Sequence, residues 1–148
     1  MSVQVRPLGG KDFFAWLGLF EGYSEFYENE LTDQKALQVW SWIIDKNNSL
    51  DGAVAVNEAG DFVGLAHYRT VTRTLSATMG LYLDDLFVAP DARGAGVGHA
   101  LIAFTKGYAA ERGLTQISLI TAADNETAQA LYDTVGTRTD WVTYEIGV

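Results

Sequence analysis

The chain contains no cysteine. That removes disulfides, thiolate zinc sites, iron–sulfur clusters and a cysteine nucleophile from consideration. It also fits a reducing compartment. Basic residues are scarce: 10 Lys and Arg stand against 19 Asp and Glu, for a formal net charge of -9. A nucleic-acid binder needs a basic footprint to release counterions, so that class is set aside. No apolar run reaches the ~18 residues expected of a membrane span. Met1 to Pro7 lacks the charged-then-apolar pattern of a secretory signal. The expectation is a cytoplasmic protein with neither nucleic-acid nor membrane partners.

The charge that is present is uneven. Nine acids and only two bases lie between Glu21 and Asp61. Most of that excess reads as solvated helix surface. The sharper reading is a field that attracts a cationic partner. The 148 residues suit one domain over 1–148, and 48% hydrophobic residues suffice for a sizeable core.

Periodicity gives the element order. Ser2 to Pro7 alternates like a short strand, and Gly9-Gly10 breaks it. Asp12 is the expected cap of a helix from Phe13 to Tyr27, whose apolar residues recur at helical spacing. Thr32 or Asp33 starts a second helix carrying Ala36, Leu37, Trp40, Ile43 and Ile44 on one face. Gly52–Asn57 and Asp61–Val71 read as a hairpin around Gly60, and Met79–Val88 as a third strand run ended by Pro90. A helix follows, closed at Gly113. Ile117–Thr121 reads as a strand buried on both faces, Asn125–Val135 as a helix, and Trp141–Ile146 as a closing strand. The result is a mixed α/β layout with helices on the faces of one sheet.

The most informative stretch runs from Leu86 to Gly98, where a strand enters a glycine-rich turn that opens a helix. Glycine permits positive φ and close approach of a ligand to the backbone. The first amides of a helix have no internal partners and, with the helix dipole, suit phosphate oxygens. Arg93 adds a fixed positive charge. Helix capping alone would require a single glycine, whereas Gly94, Gly96 and Gly98 alternate here. Other glycine loops fail. Gly10-Lys11 is followed by Asp12 rather than Ser or Thr. A dinucleotide fingerprint would need a small residue at His99 or Leu101. Gly22-Tyr23-Ser24-Glu25-Phe26 lacks the closing glycine of a nucleophile elbow.

At this loop the chain resembles the GCN5-related N-acetyltransferase (GNAT) superfamily. Arg93, Gly96 and Gly98 match the family's Gln/Arg-x-x-Gly-x-Gly/Ala loop. A second signature is similar at Asn125-Glu126-Thr127-Ala128-Gln129-Ala130-Leu131-Tyr132, followed by Gly136. The chain looks most like the small-amine branch, which includes spermidine/spermine and thialysine acetyltransferases. That branch carries Tyr-Leu-Glu-Asp-Phe-Phe-Val where this chain has Tyr82-Leu83-Asp84-Asp85-Leu86-Phe87-Val88, and Val63-Gly64-Leu65-Ala66-His67-Tyr68 is similar as well.

The resemblance implies a mixed, mostly antiparallel sheet of six or seven strands flanked by about four helices, in the order β-α-α-β-β-β-α-β-α-β. It implies acetyl-CoA as co-substrate and no metal. The amides from Arg93 through Gly94, Ala95, Gly96, Val97, Gly98 and His99 would hold its pyrophosphate. The strand edge at Leu86, Phe87 and Val88 would pair with its pantetheine arm, and Asn125 would touch that arm. Tyr132 would protonate the departing thiolate, although its helical spacing also fits a core residue. Asp84 and Asp85 would bind the amine and relay its proton, with period-two geometry placing them on opposite faces. His67, Tyr68 and Tyr27 would border the substrate, His67 being otherwise a structural donor. A homodimer is expected, with the aromatic-rich first helices as a possible surface.

Three features depart from the family pattern. Ala95 stands where a second Lys or Arg is common, Thr137 replaces the usual Phe after Gly136, and the first two helices carry more aromatics than a polyamine channel requires. Three readings stay open at this point: a small-amine acetyltransferase, a protein acetyltransferase acting on lysine or an N-terminus, and a non-catalytic acyl-CoA-binding domain.

Overall fold

A computed structural model describes residues 2–148. Its elements are β1 (Val3–Pro7), α1 (Phe13–Phe26), α2 (Asp33–Ile44), β2 (Leu50–Asn57), β3 (Phe62–Arg73), β4 (Thr78–Val88), α3 (Val97–Glu111), β5 (Ile117–Ser118) and α4 (Glu126–Val135). Five strands form one sheet in the order β1-β2-β3-β4-β5. The first three pairings are antiparallel, and β4–β5 is parallel.

Local chemistry sets most of these boundaries. The β2–β3 turn closes with Gly60 at φ +88 and with Asn57 Oδ1 accepting from the Asp61 amide at 2.9 Å. Thr32 caps α2, its hydroxyl oxygen accepting from the Lys35 amide at 3.2 Å. Asn125 caps α4 by accepting from the Ala128 amide at 3.2 Å. Asp12 stands at the start of α1 but does not cap it. Its carboxylate turns back to the Gly9 amide (2.7 Å) and to both terminal nitrogens of Arg6 (2.8 and 3.0 Å).

Helices cover both faces of the sheet. On one face α3 packs Val97, Leu101 and Ala109 over Ala66, Tyr68, Leu81 and Leu83. On the other, α1 and α2 pack Trp16, Leu19 and Ile43 over Leu65 and Phe87. This three-layer arrangement buries period-two residues of β3 and β4 on opposite sides.

The strand count differs from the expected six or seven. Five strands are formed among the described residues. The Ile117–Thr121 run pairs only through Ile117 and Ser118, is half-buried rather than buried on both faces, and leaves Ile120 63% exposed. The closing strand expected at Trp141–Ile146 is not formed. Residues 139–148 make no helix or strand and are exposed throughout. The physical reason is the same in both places, since an alternating apolar strand forms only against a partner edge.

Candidate active site

The site begins where β4 loses its neighbour. Pairing of β4 with β5 ends at Tyr82↔Ser118, so the edge of β4 from Leu83 to Val88 faces no strand on that side. The Ala89 amide donates to Val63 O at 2.9 Å. In an antiparallel ladder, alternate residues then turn their backbone groups the other way, so Leu86 and Val88 present N–H and C=O to the open edge. The Leu86 and Val88 side chains pack on the α3-side core, while Phe87 is buried on the α1 side.

The glycine turn follows directly. Gly94 and Gly96 take φ of +82 and +79, the left-handed region that side chains avoid. Gly98 serves packing instead: a Cβ there would lie 2.8 Å from Leu131 Cδ2 and would push that side chain aside where α3 meets α4. The first bond inside α3 runs from the Ala100 amide to Gly96 O at 3.0 Å. The amides of Val97, Gly98 and His99 precede it and remain free for an anion. Beside Ala95 and the two left-handed glycines they form a backbone cradle with no side chain in the way. An open strand edge leading to this cradle fits an extended arm ending in a pyrophosphate.

Arg93 does not point along that cradle. Its Nε donates to Val88 O at 3.2 Å, and its guanidinium lies 5.5 Å from the Phe26 ring and 5.8 Å from Phe87. It borders a cleft of about 780 Å³ between α1 and the end of β4, whose lining includes neither Asp85 nor Tyr132. His99 Nε2 lies 3.0 Å from the Thr134 hydroxyl, tying the start of α3 to α4.

The two adjacent acids are arranged unlike the period-two expectation. Asp85 pairs with His67 but Leu83 pairs with Tyr68, so Asp84 is an extra residue in a β-bulge. His67 and Arg69 share one face of β3. Asp85 bonds to His67 (2.8 Å) and Asp84 to Arg69 (3.0 Å), so both carboxylates serve the face covered by α1 and α2. Their environments differ. Burial pushes the Asp84 carboxyl up, and the exposed Arg69 offsets this only in part. Burial also pushes Asp85 up, but the hydrogen bond with His67, with a smaller contribution from the Tyr23 phenol, outweighs it and holds Asp85 below the usual carboxylate value.

Behind Asp85 lies a buried relay. The Trp16 indole donates from Nε1 to His67 Nε2 at 2.9 Å. Indole can only donate, so Nε2 keeps its lone pair and the ring proton sits on Nδ1, facing Asp85. Trp16 and His67 are 0% and 1% exposed, so His67 reaches the site only through Asp85.

Three phenols complete the cluster. The rings of Tyr23, on α1, and Tyr27, at its C-terminal cap, sit 5.0 Å apart, and Asn125 Nδ2 donates to the Tyr27 hydroxyl at 3.4 Å. Burial pushes the Tyr132 phenol up to about 12, with Tyr27 adding to the shift. Burial, Asp85 and both neighbouring phenols push Tyr23 higher still. Asp85, Tyr23, Tyr27 and Tyr132 therefore converge near the open β4 edge. Tyr68 does not join them. It is 1% exposed on the opposite face, 4.8 Å from the Tyr108 ring. Trp16 and Tyr23 were not singled out as site residues from the sequence. Their spacing with Tyr27, seven and then four residues, would have placed all three on one helix face. Among the described residues no group of three or more His, Asp or Glu could hold a metal ion.

Residues 16–136 match the model of the Acetyltransferase (GNAT) family. The D-amino-acid N-acetyltransferase HPA3 of Saccharomyces cerevisiae is 33% identical over 144 residues, covering 97% of this chain and 89% of that protein. Among solved structures, AAC(6')-Iy in complex with the bisubstrate analog CoA-S-monomethyl-acetylneamine superposes with a TM-score of 0.88 at 18% identity, covering 100% of this chain and 99% of the other. The ribosomal-protein-alanine N-acetyltransferase from Brucella melitensis biovar Abortus 2308 gives 0.83 at 20% identity, covering all of both chains. These two likenesses are likenesses of fold.

Proposed function

The chain belongs to the acetyltransferase (GNAT) family and is an acetyl-CoA-dependent N-acetyltransferase, and from that premise we propose that its acceptor is the primary amine of a small, cationic molecule. The observation that carries the proposal is Asp85. It is an ionised, partly exposed carboxylate fixed from behind by His67 and bordered by the Tyr23 phenol, beside which stand Tyr27 and Tyr132. Such a group draws an ammonium ion, and the phenols offer it π faces.

The chemistry follows from these positions. The α3 amides at Val97, Gly98 and His99 hold the pyrophosphate, and Arg93 adds positive potential near the loop. The β4 edge at Leu86 and Val88 aligns the pantetheine arm, and a backbone N–H there polarises the acetyl carbonyl. Asp85 takes the proton of the attacking amine, directly or through one water, as the N–C bond forms. Tyr132 gives its proton to the sulfur as the C–S bond breaks, and solvent restores it. A phenol held near 12 stays protonated at neutral pH, which an acid requires. Asn125 orients Tyr27 at the mouth of the site. Asp84 tunes the local charge from its pairing with Arg69. The same proposal places the enzyme in the cytoplasm as one domain over 1–148.

A second reading is an amino-acid acceptor, favoured by the relative named for D-amino-acid acetylation. Thiol release from acetyl-CoA with diamines, polyamines, D-amino acids and lysine peptides separates these readings. Turnover confined to peptides would sink the small-molecule proposal. Tyr132→Phe is expected to lower kcat by about 10²-fold or more while leaving acetyl-CoA affinity nearly unchanged. An unchanged rate would remove Tyr132 from the acid role.

A further inference from the structure

Tyr68 carries a hydroxyl that the fold leaves unused. The residue is 1% exposed, yet its oxygen makes no hydrogen bond among the described residues. A buried phenol usually finds a partner. No side-chain nitrogen or oxygen among the described residues is sealed from solvent without one. The sliver of Tyr68 that remains accessible is therefore its hydroxyl, and it opens into a cleft of about 470 Å³ that Tyr68 lines.

The cleft lies between the end of β1, the start of β2 and the C-terminal half of α3, with Leu8, Ile43 and Phe104 as its apolar wall. Asp51 stands opposite Tyr68 in the β2–β3 register. The Tyr108 hydroxyl donates to Asp51 Oδ2, which leaves Oδ1 without a partner among the described residues. The charges are arranged unevenly. Arg112 lies over the Tyr108 ring, 3.5 Å from its centroid, and sits 3.7 Å from Glu111. Its charge thus answers Glu111, while Asp51 joins no ion pair among the described residues. Burial and Asp51 push both phenols up, so both keep their protons at neutral pH. The cleft is remote from the acetyl-transfer site. Tyr108 is eleven residues along α3 from Val97, about 16 Å at ~1.5 Å per residue, and the sheet separates Tyr68 from His67 and Asp85.

We propose that this cleft is a second binding site, for a small primary ammonium ion carried on an apolar body. Its N–H groups meet Asp51 Oδ1 and the Tyr68 oxygen, two acceptors that the fold holds in place and leaves free. Its body lies along Leu8, Ile43 and Phe104. The volume is within the ~300–1,000 Å³ of small-molecule sites, and a few fixed polar groups on an apolar wall are their usual construction. An anion of the same shape meets the field of Asp51 and Glu111 and is turned away. A neutral alcohol fills the wall but forms no charge-assisted bond to Asp51. The site goes beyond the acetylation reading and does not rest on it.

The test is a titration of the nitrogen-15-labelled full chain with phenethylammonium, using 2-phenylethanol and 3-phenylpropanoate as controls of similar shape. The backbone amides of Asp51, Gly52, Tyr68 and Tyr108 are expected to shift in one saturable step. That step is expected to persist in Asp85→Asn, which disarms the acceptor side. Asp51→Asn keeps an oxygen for the Tyr108 hydroxyl and should weaken binding by about 10- to 100-fold. Tyr68→Phe should weaken it by about 3- to 10-fold with Tm unchanged, because the lost hydroxyl had no partner in the fold. Should the Asp51 variant fail to fold, Tyr68→Phe and the alcohol control carry the test. Shifts confined to residues around Asp85, equal affinity for the alcohol, or full affinity in Tyr68→Phe would each overturn the site. None of these readouts uses turnover, so a failure here is distinct from a failure of the proposed acetyl transfer.

Discussion

The bond from the Trp16 indole to His67 joins two residues 51 positions apart at full burial, and its contribution can be measured by removing its ends separately and together. Trp16→Phe keeps an aromatic ring but strands the His67 Nε2 lone pair where water cannot reach it. An unsatisfied buried acceptor costs about 1–3 kcal/mol. The lost ring atoms add roughly 1–2 kcal/mol at ~0.8 kcal/mol per buried carbon. His67→Leu strands the indole N–H at a similar cost and removes the donor to Asp85, which at 24% side-chain exposure water can partly replace. Each single change is therefore expected to lower Tm by several degrees, at about 2–4 °C per kcal/mol for a chain of this size. In the double variant neither polar end remains to be stranded. Its destabilisation should fall short of the sum of the singles by about 2–6 kcal/mol, the two stranding costs together. Urea unfolding of all four proteins gives the cycle, provided the m-values agree. Additivity within about 0.5 kcal/mol would falsify the bond as an energetic contact.

The phenols give a pH prediction. Tyr23, Tyr68, Tyr108 and Tyr132 all have raised values, the last two to about 12, mainly through burial. Raised groups contribute stability that is complete below the ordinary tyrosine value near 10 and is lost as pH climbs through the folded values. Absorbance titration at 295 nm should show four of the seven tyrosines ionising late, in step with alkaline unfolding. Seven phenols titrating together near pH ~10 in a folded chain would contradict it. Gly64→Ala should destabilise by about 1–3 kcal/mol, because its Cβ would sit 2.9 Å from Val97 Cγ1 and 3.2 Å from Phe87 O, and that carbonyl cannot swing aside. A stability equal to the parent would show that β3, β4 and α3 pack less tightly than described. Arg93→Ala should weaken acetyl-CoA binding by an amount that shrinks at high salt, measured by calorimetry at two ionic strengths. Equal affinity in both proteins would exclude a phosphate role.

Features set by neighbouring residues were legible in the sequence. The Gly60 hairpin, the helix starts at Thr32 or Asp33 and at Asn125, and the glycine turn into α3 all depend on residues within a few positions of one another, whereas the cap expected of Asp12 is lost to its pairing with Arg6. The arrangement of Asp84 and Asp85 was not legible, because a β-bulge is a property of the pairing between β3 and β4 and leaves no mark within β4 alone. Counting by twos put the carboxylates on opposite faces, and one inserted residue brought them to the same one. His67 read as a lone histidine for a related reason, since its partners come from α1 and β4. The family resemblance implied that Tyr68 borders the substrate, yet alternation along β3 sends it to the other face.

The Trp16–His67–Asp85 chain also explains how this site tolerates a buried polar group in an aromatic layer. A histidine among Trp16, Phe20 and Phe87 would be costly without partners, and here both ring nitrogens are bonded. The bonds do more than satisfy the ring. Trp16 is part of α1, Tyr23 follows two turns on along the same helix face, and Tyr27 caps the helix beside it. Fixing the indole against His67 therefore fixes the rotation of α1 over the sheet, and with it the two phenols beside Asp85 and Tyr132. A variant that frees the indole should then disturb the acceptor side through α1 while leaving the α3 amide cradle in place. In kinetic terms, Trp16→Phe should raise KM for the amine more than KM for acetyl-CoA. Equal effects on the two would mean that α1 does not carry the acceptor site as a rigid unit.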